Sequence, residues 1–327
     1  MTQLQPLCLL RLLYGVNETN NTIFYNGSNE KTISKMVAIP LLSIILILGI
    51  IGNGLVIWIA GFRMKKIISA VWFLNLAIAD FLCCASIPLI IAFLASTDAC
   101  RTFSSLIFCS FYIIILNLNM SASVLLLTAM SVDRWVSVMW PFWAKVHRTQ
   151  KRVRTTAGII WVMSLIWTGI TFYLMFLYAY HNQESNNFTI NLISLVIMFV
   201  IPFLIIVTSY VNIFNKLRKS KRPQRSQRPY RIITAVILGF FICWAPYNIY
   251  PLTPNYKPGE SFQFLIVTGL ACFNSCINPV IYVLMGQEFK PSFLRFIPFR
   301  IKRALSEHPD NPCGEQGNCD FAPTKDI

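Results

Sequence analysis

The stretch that decides the fold is Cys109–Trp143, CSFYIIILNLNMSASVLLLTAMSVDRWVSVMWPFW. From Phe111 to Met130 it holds no charged residue, and its polar interruptions are Asn117, Asn119, Ser121 and Ser123. Asp133-Arg134-Trp135 and Pro141 follow. An uncharged run of about 20 residues spans bilayer hydrocarbon as a helix, so the Asp-Arg pair falls where lipid meets water. Both ions are expensive there unless they pair or face a protein cavity. The stretch therefore marks Arg134 as a group held in one state and released in another.

Outward from it, the 327 residues are 55% hydrophobic and 13% charged, with mean hydropathy +0.58. A soluble domain carries about 25% charged residues, so a large soluble α-domain is excluded. The net charge of +15 invites a nucleic-acid reading, but its placement argues against one. With loops assigned alternately to two sides, 23 of the 28 Lys and Arg fall on one side; the other five are Arg11, Lys31, Lys35, Arg101 and Lys257. The positive-inside rule then sets the N-terminus outside and the C-terminus in the cytoplasm.

Seven apolar segments carry this alternation, at about 37–62, 69–94, 105–139, 154–179, 189–217, 230–253 and 261–285. They predict an all-α integral membrane protein, a seven-transmembrane helix bundle over 37–285. Residues 1–36 are expected as an outer segment. Arg11 interrupts its apolar run, which does not read as a cleaved signal peptide. Asn17, Asn20 and Asn26 there, and Asn187 in a short outer loop, are glycosylation acceptors by their spacing to Thr or Ser. In 286–305, Phe289, Phe293, Phe296 and Ile297 share a face opposite Lys290 and Arg295, as in a helix lying on the inner membrane surface. Residues 307–327 are polar and expected to be disordered.

Polar groups inside a bilayer need a reason. Asp80 is the one carboxylate deep in a segment. Two readings stay open: a hydrogen-bonded structural aspartate, or a small cavity in which Asp80 and neutral oxygens hold a monovalent cation. Pro88, Pro202, Pro246 and Pro279 mark helices that bend, because each removes a backbone donor. Trp244 stands two residues before Pro246, either as packing or as a hinge aromatic.

Gly52-Asn53, Leu76-Ala-Ile-Ala-Asp80, Asp133-Arg134-Trp135, Cys243-Trp-Ala-Pro246 and Asn278-Pro-Val-Ile-Tyr282 occur in this order and in these segments. Together they resemble the signature set of rhodopsin-like G-protein-coupled receptors, over about residues 37–304. More narrowly, Gly54–Met64, Val71–Leu76, Ala122–Ala129, Asn274–Pro279 and Met285–Phe289 are similar to the chemoattractant group. That group holds formyl-peptide, chemerin-like and complement anaphylatoxin receptors and, more distantly, the prostaglandin D2 chemoattractant receptor.

The resemblance implies a plasma-membrane receptor. An extracellular peptide or lipid agonist opens its inner face to a heterotrimeric G protein of the inhibitory class, driving calcium release, leukocyte chemotaxis and inflammatory response. It implies an inner lock of Asp133 and Arg134, with Tyr210 and Tyr282 as partners of the released arginine and Asn278-Pro279 as part of the switch. Pro141 and Phe142 would place an aromatic against the G protein. Asp80, Asn119, Ser123 and Asn274 would hold an allosteric sodium ion; no other cofactor is implied. Val124, Pro202 and Phe240 would form a core that repacks on activation. The expected agonist pocket is Leu116, Asn117, Met120, Trp244, Tyr247, Asn248, Phe264 and Thr268.

The sequence departs from the group in three places. Family receptors tie the top of the third helix to the second outer loop by a disulfide. Cys109 matches the first partner, but Tyr180–Asn191 contains no cysteine, so Cys109 has no evident loop partner and either pairs with Cys100 or stays free. Formyl-peptide receptors use an acid on the third helix and arginines on the fifth, where this chain has Asn117, Ile190 and Ser194; the acid that complement and chemerin-like receptors place on the seventh is Phe264. The tail offers few hydroxyls, Ser292, Ser306 and Thr324, so arrestin recruitment is expected to be weak.

Three histidines, none beside a paired membrane acid, exclude an enzyme, and the absence of internal repeats excludes a transporter. The alternative kept open is a non-signalling or scavenging receptor of the same fold.

Overall fold

The computed structural model describes residues 24–64, 67–95, 103–181, 184–219, 228–253 and 262–285. Among these, seven helices are long and apolar enough to cross a membrane, and there is no strand. Helix α1 runs Phe24–Trp58 and closes in a π-helical turn, Ile59–Arg63; α2 is Ile68–Ala95, α3 Phe103–Met139 and α4 Gln150–His181. Helix α5 comprises Glu184–Leu195, a π-helical turn Val196–Val200, and Ile201–Lys219. Helix α6 is Arg228–Ile249, followed by a 3₁₀ turn Tyr250–Leu252, and α7 is Phe262–Met285.

Two features differ from expectation. Helix α1 begins at Phe24, inside the stretch expected as outer segment; FYNGSNEKTISKM contains no proline to stop the helix at the membrane boundary. A short helix, Pro141–His147, fills the inner loop after α3, with its proline at the first turn, where a missing N–H costs nothing. Asn17, Asn20, the stretch 286–305 and the tail 306–327 lie outside the described residues, as do the side chains of Asn26, Cys109 and Asn187.

The bundle inverts the pattern of a soluble protein. Ile44, Ile47 and Ile51 on α1, and Val162, Leu165 and Ile166 on α4, point outward. Asn53, Asp80, Asn119, Ser123, Asn274, Ser275 and Asn278 are buried. Lipid tails solvate the apolar faces, so only polar groups gain by turning inward to find partners.

Proline chemistry shapes two helices. Pro202 has no N–H for the carbonyl four residues back, and its ring would clash there. The π-helical turn just before it relieves this, with Ile201 N–H bonded to Val196 O five residues back. In α7, Pro279 leaves Ser275 O without its helical donor. Asn53 Nδ2 of α1 supplies one at 2.8 Å, and also donates to Gly49 O at 3.0 Å. That reach needs close backbones. A Cβ on Gly52 would lie 3.0 Å from Pro279 Cβ and Cγ, and one on Gly49 would lie 2.1 Å from Cys84 Sγ. Trp161 Nε1 of α4 donates to Asn75 Oδ1 of α2 at 3.0 Å, fixing that side of the bundle.

Candidate functional site: an outer cavity, a buried carboxylate and an inner arginine

Near the outer end, α3–α7 enclose a cavity of about 130 Å³. Asn117, Met120, Tyr247, Asn248 and Phe264, five of the eight residues expected at the agonist pocket, line it. Ile113, Ser121, Trp167, Thr171, Ile190, Asn191, Ser194, Met198, Tyr250, Pro251 and Val267 complete the wall, and no charged side chain lines it. Leu116 and Thr268 face a separate, smaller cavity of about 20 Å³ toward α1 and α2, which shares Ile113, Tyr247 and Phe264 with the first. Trp244 lines neither. It is wholly buried (0% exposed) beneath them, edge-on to Tyr247 with ring centroids 5.5 Å apart. Trp244 Nε1 and Thr268 Oγ1 are buried without hydrogen-bond partners.

Below Trp244 an aromatic chain crosses from α6 to α5. Phe240 lies 6.0 Å from Trp244 and 5.3 Å from Phe241, and Phe241 meets Phe199 and Phe203 edge-on, each at 4.9 Å. Val124, Pro202 and Phe240 are all buried.

At mid-membrane sits Asp80, 0% exposed. Its Oδ1 accepts from Asn119 Nδ2 at 3.2 Å and Ser275 Oγ at 2.9 Å; its Oδ2 accepts from Asn278 Nδ2 at 2.7 Å. The resemblance put Asp80, Asn119, Ser123 and Asn274 around a sodium ion. Of the four residues named from sequence, Asp80 and Asn119 meet, while the partners from α7 are Ser275 and Asn278. Residues three apart share a helix face and adjacent ones do not, so one residue's rotation separates Ser275 from Asn274. Ser123 Oγ, both polar side-chain atoms of Asn274, and the amide oxygens of Asn53, Asn119 and Asn278 are buried with no hydrogen-bond partner. Among the described residues no group of three or more His, Cys, Asp or Glu could hold a metal ion. What the core offers is one carboxylate with neutral oxygens, a donor set that fits a hard monovalent cation.

At the inner end Asp133 and Arg134, expected as the lock, each have a partner elsewhere. Both oxygens of Asp133 accept from Arg148, Oδ1 from Nε at 2.7 Å and Oδ2 from Nη2 at 2.8 Å. Arg134 Nη2 donates instead to Ser69 Oγ of α2 at 2.5 Å. Successive side chains on a helix point in different directions, so Asp133 faces the loop while Arg134 faces the bundle. Tyr282 is buried against Phe73, with centroids 4.8 Å apart, and Tyr210 is half-buried on α5. Phe142, after Pro141, is 87% exposed on the inner loop.

Sequence reasoning missed Ser69, Arg148 and Ser275 as partners. Only Ser275 carried a signal, standing three residues before Asn278 on one face of the seventh segment.

One helix joins these levels. Asn117 and Met120 line the cavity, Asn119 holds Asp80, and Arg134 ends the line about 26 Å from Asn117 at 1.5 Å per residue. Comparison with known proteins gives the family. Residues 52–282 match the family "7 transmembrane receptor (rhodopsin family)". Formyl peptide receptor 2 of Mus musculus is 33% identical over 89% of this chain and 93% of its own length. The C3a anaphylatoxin chemotactic receptor of Danio rerio is 35% identical over 90% and 82%, and Chemerin-like receptor 1 of Sus scrofa 36% over 85% and 84%. The chain therefore belongs to the rhodopsin family of seven-transmembrane receptors, multi-pass proteins of the plasma membrane that couple an extracellular agonist to a G protein and are not enzymes.

Proposed function

We propose that this is a chemoattractant-type receptor whose agonist is an uncharged, largely apolar molecule, a hydrophobic peptide end or a lipid mediator. It signals through an inhibitory-class G protein to calcium release, leukocyte chemotaxis and inflammatory response. The printed names of the relatives, chemotactic and formyl peptide receptors among them, support the class. The observation that carries the ligand chemistry is the cavity wall, aromatic and aliphatic with amides and hydroxyls but no charge. Asn117 Nδ2 and Asn248 Nδ2 each donate one N–H, to Ile113 O and Trp244 O at 2.9 Å, which leaves a second N–H and the amide oxygen of each for a ligand.

The test is a ligand screen on cells with confirmed surface expression, read as lowered cyclic AMP and pertussis-toxin-sensitive calcium release. Neutral apolar peptides and lipids should activate, and Asn117→Ala and Asn248→Ala should each weaken the response about fivefold, one hydrogen bond contributing about 1 kcal/mol. Tight, charge-dependent binding of a peptide ending in arginine, indifferent to both substitutions, would overturn the ligand reading.

The proposed resting state is Arg134 held by Ser69 with Asp133 held by Arg148. A hydrogen bond to a charged group contributes about 1.5 kcal/mol or more. Ser69→Ala should therefore raise basal nucleotide exchange roughly tenfold. Unchanged basal exchange would remove Ser69 from the switch. Tyr210 and Tyr282 are the proposed partners of the released arginine, and Val124, Pro202 and Phe240 the layer that repacks.

Sodium is proposed at Asp80, with Asn119, Ser123 and Asn274 joined by Ser275 and Asn278. An ion that binds only the folded receptor stabilises it by mass action. Replacing potassium by sodium should raise the thermal midpoint of the purified receptor, and Asp80→Asn should erase the difference. An equal shift in both proteins would rule the site out. Arrestin recruitment is proposed to be weak, given three tail hydroxyls.

The scavenging alternative has one observation in its favour. Helix α4 ends at His181 and α5 begins at Glu184, which leaves two residues where a lid would stand. The partnered inner end, with Asp133 and Arg134 both engaged, favours signalling.

A further inference from the structure

Arg148 and Thr149 join the short helix Pro141–His147 to α4 and belong to neither. The guanidinium of Arg148 holds both oxygens of Asp133, yet its side chain keeps 21% of its surface in solvent. Thr149 beside it is exposed. Thr149 Oγ1 accepts from Arg152 N at 3.4 Å, and Arg152 Nη1 donates to His147 O at 3.2 Å. Lys145 and Lys151 are exposed too, so the run KVHRTQKR, residues 145–152, sets one hydroxyl among four cations and no acid.

Capping α4 is a poor account of that hydroxyl, because 3.4 Å is long for a hydrogen bond to oxygen. Its chemistry as a phosphate acceptor is a better one. A protein kinase takes its substrate in extended form, so a residue inside a helix is a poor target. Thr155 and Thr156 are exposed on α4, but they lie within its turns and donate to Lys151 O and Arg152 O at 3.0 Å each. Thr149 is outside both helices, and the one before it has seven residues, too few to be stable by itself.

We infer that Thr149 is a phosphorylation site for a serine/threonine kinase that reads basic flanks, and that its phosphate draws Arg148 off Asp133 and closes the inner switch. Thr149 Oγ1 attacks the γ-phosphorus of ATP, the bond from that phosphorus to the β,γ-bridging oxygen breaks, ADP leaves, and the hydroxyl proton passes to the base of the kinase. The new group carries about −1.5 to −2 charges at neutral pH against one on a carboxylate, and its oxygens accept readily from guanidinium groups. Arg148 precedes it and Arg152 stands one turn further on, so Asp133 loses its partner. Arg134 follows Asp133 in the chain, and a carboxylate binds it more strongly than the Ser69 hydroxyl does. The phosphate thus strengthens the resting state and supplies a shut-off that needs none of the tail hydroxyls, Ser292, Ser306 and Thr324. That consequence rests on the receptor reading; the modification itself does not.

The experiment treats the full-length receptor in lipid nanodiscs with the catalytic fragment of protein kinase C and magnesium ATP. Phosphopeptides are mapped by mass spectrometry, and basal nucleotide exchange is read on purified G protein. Phosphate should appear at Thr149 before Thr155 or Thr156, and exchange should fall roughly tenfold. Thr149→Ala should lose that phosphate and keep its exchange through the treatment. Arg148→Ala frees Asp133 without a phosphate, so its exchange should start low and change little on phosphorylation. Thr149 left unmodified, or labelled no faster than Thr155, would overturn the site. Full labelling of Thr149 with unchanged exchange would overturn the switch. Label at Thr149 in a receptor that drives no exchange even untreated would count against the receptor reading alone.

Discussion

Arg134→Ala should cut guanine-nucleotide exchange on the G protein at least about tenfold while the receptor remains on the cell surface. The sequence places this cation at the inner end of an uncharged membrane stretch, where an idle charge is costly. In the structure it reaches across to Ser69 of α2, while its neighbour Asp133 is engaged by Arg148. The bond to Ser69 is one to a neutral hydroxyl, weaker than one to a carboxylate. Such a contact can be exchanged for another when the helices shift, and Tyr210 and Tyr282 are the proposed acceptors. Removing a group that makes charge-assisted bonds in the active state costs about 1.5–3 kcal/mol, so exchange should fall by roughly tenfold to more than a hundredfold. Surface expression read through an N-terminal epitope tag, beside exchange on purified G protein, gives the answer. Undiminished exchange at equal expression would show that Arg134 is structural.

Gly49→Ala should lower thermal stability and surface expression, and adding Cys84→Ala should restore most of the loss. The methyl of the alanine would sit 2.1 Å from Cys84 Sγ and 3.1 Å from Cys84 Cβ, in a part of the core where Cys84 is fully buried. Overpacking of this kind costs about 1–3 kcal/mol. The cost extends beyond the contact itself. Pushing α1 outward also lengthens the bond from Asn53 Nδ2 to Ser275 O, the carbonyl that Pro279 leaves without a helical donor. Residues in contact are not additive, so the double variant should recover more than independent effects predict. A Gly49→Ala receptor that melts with the wild type would mean that α1 packs further from α2 and α7 than described.

Much of the architecture was legible in the chain. Segment length and hydropathy place seven helices, because a span must bury every backbone group in itself. Asp80, Asn119 and the uncharged pocket wall were legible too, since a polar residue inside an apolar run stands out. The partners were harder to read. Asp133 and Arg134 are adjacent in sequence, yet one faces Arg148, 15 residues on, and the other faces Ser69, 65 residues back. That choice depends on the short helix Pro141–His147, which turns the chain so that Arg148 comes back under α3. The resemblance puts Leu116, Thr268 and Trp244 in the pocket, but it does not give rotation about the helix axis. The structure turns two of them toward a second cavity and buries the third beneath both.

The sequence by itself determined that this protein lives in a membrane as seven helices, which way the basic loops face, and which polar residues lie inside. Those properties follow from composition and length, which no packing arrangement can change. Tertiary structure decided who touches whom: Ser275 and Asn278 on Asp80, Ser69 on Arg134, Arg148 on Asp133, and Cys84 wedged against Gly49. Each of those contacts depends on about 100° of helix rotation per residue and on an approach of a few ångströms between elements far apart in the chain, quantities that no local pattern records.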